Sequence, residues 1–182
     1  MSQLFPFGQP VNGIVQMAYV VEDIDPAMAA WSKHYCVGPF FLNKGYVGGN
    51  AVFRGQADLT AIDVAMGYAG GMMIELIEVK TAGPSIYHEG IERSGYGFHH
   101  VGIVASDYDA DVARYQSDGF DVVVTGNIPG TPFRYAYLEN RALLPGYLEL
   151  IPREVVSFMM TPIYRASVGW SGKDPIRPMK QG

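Results

Sequence analysis

Gln16 to Trp31 reads QMAYVVEDIDPAMAAW, and 84 positions further on (16 to 100) His100 to Tyr115 reads HVGIVASDYDADVARY. The two stretches align without a gap. Val20 matches Val104, Asp23 matches Asp107, Asp25 matches Asp109 and Ala29 matches Ala113. Character is kept elsewhere, with Ala18 against Gly102, Met28 against Val112 and Trp31 against Tyr115. A repeat of this kind marks two copies of one supersecondary unit, neither able to bury its apolar face alone.

Each copy begins with an apolar, β-branched run that reads as a buried strand, Ile14 to Val21 and then Phe98 to Ala105. A helix follows in each. Asp25 is expected to cap the first, with Pro26 at its first turn, and Ser106 with Asp109 gives a capping-box-like start to the second. Met28, Trp31 and Tyr35 recur at helical spacing, as do Val112 and Tyr115, so each helix has one face to bury. Gly38-Pro39 and Gly119 end the two helices. Three strands then follow in each copy: Phe40 to Leu42, Leu59 to Met66 and Met72 to Val79; then Phe120 to Thr125, Phe133 to Leu138 and Tyr147 to Ile151. The expected class is α+β, two tandem βαβββ modules (14–80 and 98–152) within a single domain spanning 1–182. A polar linker, 81–97, holds a short helix around Ser85 to Glu92. The tail, 153–182, carries an apolar helical stretch, Val155 to Tyr164, and a Gly/Pro-rich end that wraps over a neighbouring surface. Lys44 to Gly55 and Thr81 to Gly97 read as variable loops.

Side chains alternate across a strand, so parity decides which residues share a face. Gln16 shares its face with Ile14, Ala18 and Val20; Glu75 with Met73, Ile77 and Val79; His100 with Phe98, Gly102 and Val104; Glu149 with Tyr147 and Ile151. Each strand thus sets one polar group among apolar or small neighbours, and no Arg or Lys lies in any of the four. An isolated carboxylate there costs several kcal/mol (about 2–7 for a polar group, more for a charge) or is forced to protonate unless something positive pairs with it. A divalent cation resolves the conflict. Gln16 and His100 are equivalent positions of the two first strands. Glu75 and Glu149 are equivalent in the last ones, within Ile74-Glu75-Leu76-Ile77 and Leu148-Glu149-Leu150-Ile151. Paired about a pseudo-twofold axis, the modules bring all four to one cavity. His99, of opposite parity, is expected to pack outside the sheet. Asp63 interrupts Ala61-Ile62-Asp63-Val64-Ala65 and either reaches the cavity as a further catalytic carboxylate or faces solvent at an edge. Phe40, Phe41, Tyr46, Tyr87 and Tyr135 are candidates for an apolar substrate wall.

From Ile14 to Pro152 these features resemble the vicinal-oxygen-chelate superfamily, which includes glyoxalase I, methylmalonyl-CoA epimerase, extradiol dioxygenases and bleomycin-resistance proteins. The resemblance implies a cupped mixed sheet around a metal held by the first and last strand of each module, here Gln16, Glu75, His100 and Glu149. Gln, Glu, His and Glu in that order resemble the ligand set of a zinc-using glyoxalase I. The Gln16-Met17-Ala18-Tyr19 run and the His99-His100 pair are more similar to methylmalonyl-CoA epimerase. Met17-Ala18-Tyr19-Val20 stands where glyoxalase I has a Thr-Met-Leu-Arg type run with a glutathione-binding arginine, and Glu75 stands where the epimerase normally has an amide.

One imidazole, one amide and two carboxylates suit one divalent metal, Zn, Ni, Co or Mn, with positions left for substrate oxygens. A substrate with vicinal oxygens, a thioester or a hemithioacetal, would be acidified beside its carbonyl and pass through an enediolate. The resemblance makes Glu149 the principal base, with Glu75 second. The expected function is a metal-dependent lyase or isomerase of the glyoxalase/epimerase type. The alternatives are a ring-cleaving dioxygenase, which wants two histidines and a carboxylate on iron, or a ligand-sequestering cup of the same fold. A hydrophobic fraction of 48% against 17% charged excludes a disordered chain, and a net charge of −5 with scattered basic residues excludes a nucleic-acid partner. No run approaches the ~20 apolar residues that cross a bilayer, and residues 1–10 lack the pattern of a secretion signal. The single cysteine, Cys36, suits a reducing cytoplasm. A homodimer is what the resemblance implies.

Overall fold

The computed structural model describes residues 3–179, so the first two residues and the last three of the expected tail lie outside the described residues. In chain order the elements are β1 (Ile14–Val20), α1 (Ile24–Tyr35), β2 (Phe40–Tyr46), β3 (Gly49–Phe53), β4 (Gln56–Ala57), β5 (Ile62–Ala69), β6 (Met72–Val79), α2 (Ile86–Ser94), β7 (Gly97–Val104), α3 (Tyr108–Ser117), β8 (Asp121–Asn127), β9 (Arg134–Glu139), β10 (Tyr147–Ile151), a π-helical turn (Val156–Met160), α4 (Thr161–Ser167) and β11 (Ile176–Pro178). Among them no helix is long and apolar enough to cross a membrane.

Both long helices start where the repeat places an aspartate, two positions before the expected cap in the first and one position after it in the second. Asp23, in extended conformation, accepts from the Asp25 N–H, so Asp23 and not Asp25 is the first cap, and Pro26 falls at the third helical residue. Pro is tolerated there because the first-turn N–H groups have no helical partner. Asp107 accepts from the Ala110 N–H, while Asp111 reaches back to the N–H groups of Ser106 and Asp107. Ser106 and Asp109 therefore do not form the capping pair; Asp109 pairs with Arg134 instead. The chain runs polar residues through each start, and only the one whose backbone stays extended can cap.

The strands form one sheet in the order β11-β2-β5-β6-β1-β7-β10-β9-β8-β3-β4. At its centre β1 and β7 pair antiparallel, and each has its own last strand on the other side, β6 parallel to β1 and β10 parallel to β7. Gln16 lies directly opposite Gly102, and His100 directly opposite Ala18. The residue two positions after each of these polar groups is thus the small one that leaves room for the other. A Cβ added at Gly102 would stand 3.0 Å from Cβ of Gln16 and 2.7 Å from Cδ1 of Ile151. The β1–β7 ladder also carries two bulges. One extra residue is Val15 in β1, the other His99 in β7, again equivalent positions of the repeat.

One face of the sheet is covered by helices, α1 over Val37, Phe40, Ala65, Ile74 and Leu76, and α3 over Ala136, Leu138 and Leu150. The other face is a cup. Its first half, with Val64, Met66, Met73 and Ile77, is packed by Phe7 and by Val155, Met160 and Ile163 of the tail. Its second half, with Val124, Tyr135, Tyr137 and Tyr147, is packed by Ile86 and by Phe53 from β3. The Lys44–Gly55 segment is therefore no loop. It extends β2 to Tyr46 and then crosses to the far edge of the sheet, where β3 pairs with β8. A glycine-rich stretch with little intrinsic strand preference is held by the edge it meets. Arg54 at the hairpin tip makes a bidentate pair with Glu89 of α2, at 2.8 and 2.9 Å, and a 2.6 Å contact with the buried Glu139 of β9. At the other edge, β11 adds to β2 in parallel, which is how the Gly/Pro-rich end lies down. Smaller differences concern strand limits: the fifth strand starts at Ile62, not Leu59, and runs on to Ala69.

Gly102→Val should force Gln16 and Ile151 off their positions and cost about 1–3 kcal/mol, the usual penalty for overpacking, read as a lower urea midpoint. Ala18→Gly, which opens space in place of filling it, should leave the side chain opposite it undisplaced.

Candidate metal centre

The alternation of β1, β6, β7 and β10 points one polar side chain from each strand into the cup, where they meet. Nε2 of Gln16 is 3.3 Å from Oε2 of Glu75, 3.2 Å from Nε2 of His100 and 3.1 Å from Oε2 of Glu149. Nε2 of His100 is 3.4 Å from Oε2 of Glu75 and 3.3 Å from Oε2 of Glu149. One ligating atom each from Glu75, His100 and Glu149 lies within 4.8 Å of the others. Gln16 and His100 are buried, whereas the Glu75 and Glu149 side chains keep 13% and 15% of their surface. The carboxylates are thus the face of the cluster that a small molecule reaches.

Among the described residues no lysine or arginine pairs with either carboxylate. Their compensation comes from His100. Burial alone would lower its imidazole, but hydrogen bonds to Glu149 and Glu75, with their charges, raise it to about 9. Burial pushes the Glu75 carboxyl up, and the His100 hydrogen bond and charge only partly offset this. Two carboxylates at the bottom of an apolar cup hold a proton on an imidazole that would otherwise be neutral. A divalent cation supplies the same positive charge without that proton. The donor set fits one: two carboxylate oxygens, the imidazole Nε2, and an amide which, turned about its last torsion, presents Oε1 in place of Nε2.

Asp63 is not brought to this cluster. It shares its face of β5 with Ala65, on the side covered by α1, and Oδ1 accepts from the Gly45 N–H at 2.7 Å, closing the irregular step where β2 passes β5. Phe40 likewise lies on the helix-covered face. Tyr46, Tyr87 and Tyr135 do line the cup, together with Tyr137, which sequence parity could have found through its position opposite Glu149. Burial and the nearby glutamates push the phenols of Tyr87 and Tyr137 well up, so they stay protonated as donors. His99 is a correction. It is buried on the cup side, because the bulge turns two successive residues of β7 to one face. Its Nδ1 is 2.8 Å from Nδ1 of His100, and its ring stacks on Tyr87. A larger cleft of about 730 Å³ lies elsewhere, between α1 and the tail around Trp170, and none of the four cluster residues lines it.

A raised imidazole stabilises the fold fully below its unfolded value, near 6.5, and that contribution is lost as pH rises through about 9. In chelator the protein should accordingly unfold at lower urea at pH 9 than at pH 6. His100→Gln should flatten that difference, and an added divalent ion should restore stability at pH 9.

The fold and site have relatives. Among curated proteins none matches this chain. Residues 15–137, which contain Gln16, Glu75 and His100, match the sequence profile of the Glyoxalase/Bleomycin resistance protein/Dioxygenase superfamily. In structure the chain is similar to a methylmalonyl-CoA epimerase from Mycobacterium tuberculosis, at 17% identity and a TM-score of 0.54, covering 78% of this chain and 88% of that one. A methylmalonyl-CoA epimerase in complex with methylmalonyl-CoA and NH4+ gives 18% identity and 0.55, covering 80% and 97%. A hypothetical protein from Bacillus halodurans C-125 gives 16% and 0.54, covering 76% and 92%. At these identities the structural likeness establishes the α+β fold with its mixed sheet. With the profile match over most of the chain, it follows that this protein belongs to the glyoxalase/bleomycin resistance/dioxygenase superfamily.

Proposed function

We propose that this protein is a metal-dependent lyase or isomerase of the glyoxalase/epimerase type, moving a proton on a carbon beside a substrate carbonyl. The observation that carries the reading is the convergence of Gln16, Glu75, His100 and Glu149, with Nε2 of Gln16 and Nε2 of His100 each 3.1–3.4 Å from both carboxylates and from one another. Gln16, Glu75, His100 and Glu149 would hold a divalent cation (Zn, Ni, Co or Mn), which when bound would supply Lewis-acid stabilisation of negative charge on substrate oxygens. The chain's own groups do the rest. Glu149, partly exposed at the middle of β10, takes the proton from carbon. Glu75 approaches from the symmetry-related strand and is the second carboxylate able to take or return a proton. Two carboxylates at one centre suit proton removal and return in epimerisation or isomerisation. The Tyr46, Tyr87, Tyr135 and Tyr137 wall excludes water and offers phenolic donors to substrate oxygens.

The epimerase neighbours, one of them bound to methylmalonyl-CoA, support a branched acyl thioester with a second carbonyl as substrate class. A hemithioacetal is the second choice, since Val20 stands where glyoxalase I carries its glutathione arginine. One imidazole in place of two sets the donor set apart from that of a ring-cleaving iron dioxygenase. A homodimer in a reducing cytoplasm, suited to the single exposed Cys36, completes the proposal.

Protein purified without chelator should carry about one Zn, Ni, Co or Mn per chain by elemental analysis, and Glu149→Ala and His100→Ala should lose it. The wild type should wash deuterium from solvent into branched acyl-CoA thioesters. Glu149→Gln should slow that exchange by about 10²–10⁴-fold, the usual range for a general base. Iron in the purified protein would favour ring cleavage, and failure to take up any divalent ion would leave a ligand-sequestering cup.

A further inference from the structure

We propose that His99 is the positioning residue of this centre: through one hydrogen bond it fixes His100 with a proton on Nδ1 and leaves Nε2 to face Glu75 and Glu149. The inference rests on the metal-centre reading above and adds a residue to it.

Two imidazole Nδ1 atoms 2.8 Å apart have to share a single proton. Which ring owns it is settled at the far side of His99, where Nε2 lies 3.3 Å from the carbonyl oxygen of Ile86. A carbonyl only accepts, so His99 carries its hydrogen on Nε2. Buried at 3% exposure, the His99 ring meets a carbonyl through one nitrogen and a second imidazole through the other, and among the described residues no carboxylate lies against it to hold a second proton. A neutral ring with N–H at Nε2 has a lone pair at Nδ1. The shared proton therefore belongs to Nδ1 of His100. The line of hydrogen bonds runs from His100 through His99 to the backbone of α2, and it determines which His100 nitrogen faces the carboxylates.

The surroundings of His99 hold it to this task. Its ring stacks at 5.1 Å on Tyr87 and lies 5.0 Å from Tyr147. Gly90, one turn along α2, allows the helix to close on it, since a Cβ at Gly90 would stand 2.9 Å from Cδ2 of His99. Ser85 caps α2 and sets where the Ile86 carbonyl points. The bulge in β7 then turns His99 to the cup side beside His100. In β1 the equivalent extra residue is Val15, which packs into the core and gives Gln16 no such partner.

The test is zinc affinity by chelator competition, with nitrogen NMR of the zinc-loaded protein to read the His100 tautomer. His99→Phe keeps the ring's bulk without an acceptor and should weaken zinc about 10–100-fold, the range for loss of an outer-sphere partner. His99→Asn, whose side-chain oxygen takes the place of Nδ1, should recover affinity to within about 3-fold of wild type. Gly90→Ala, a substitution that otherwise favours a helix, should also weaken zinc by pushing the His99 ring, and it carries the test if His99→Phe does not fold. Wild-type His100 should show its proton on Nδ1. Zinc binding unchanged in His99→Phe and Gly90→Ala overturns the role of His99 while leaving the centre standing, whereas a His100 proton on Nε2 overturns that role and also removes Nε2 from the donor set. A wild type that takes up no zinc overturns both.

Discussion

Two carboxylates set in one apolar cup, with no lysine or arginine among the described residues to answer them, are the constraint around which this molecule is arranged. Charge of one sign at the bottom of a low-dielectric cavity is tolerated only if a compensating group sits within a few ångströms. The fold meets that demand by symmetry. Each half sends one glutamate from its last strand and one nitrogen-bearing side chain from its first. The two first strands pair back to back, so both nitrogen donors fall between both carboxylates. The small partners Ala18 and Gly102 are part of the same solution, because a bulky residue at either position would hold the halves apart.

Most of this was legible in the chain. A polar residue alone among apolar neighbours on a strand reports both its face and its burial, and a repeat at fixed spacing says which such residues become neighbours. Gln16, Glu75, His100 and Glu149 could be named together for that reason. What the pattern missed was of two kinds. Parity fails where a strand is bulged, and nothing local in Phe98-His99-His100 announces the extra residue. That put His99 on the wrong side. Capping fails by a step or two where several aspartates compete, as in Glu22 to Asp25 and Ser106 to Asp111.

The second kind of miss is long-range. Val47 to Phe53 has the glycine content of a loop, and the strand within it, Gly49–Phe53, is laid between the edge of β8 and the short β4. The Arg54 clasp to Glu89 and Glu139 joins residues 35 and 85 positions apart, a relation no window along the sequence contains. Asp63 was ambiguous in the same way. Its carboxylate interrupts an apolar strand as the cluster glutamates do, yet what it answers is a backbone N–H in the neighbouring strand.

The crossing of β3 has a bearing on how the two halves live together. A strand made by the first half completes the sheet of the second, with its hairpin riveted to the helix between them. Gene duplication can build two similar halves, but an exchanged strand makes them mutually dependent: neither could be released, swapped out or inherited alone without leaving a raw sheet edge behind. The two halves of this repeat are therefore interlocked through β3 and its hairpin.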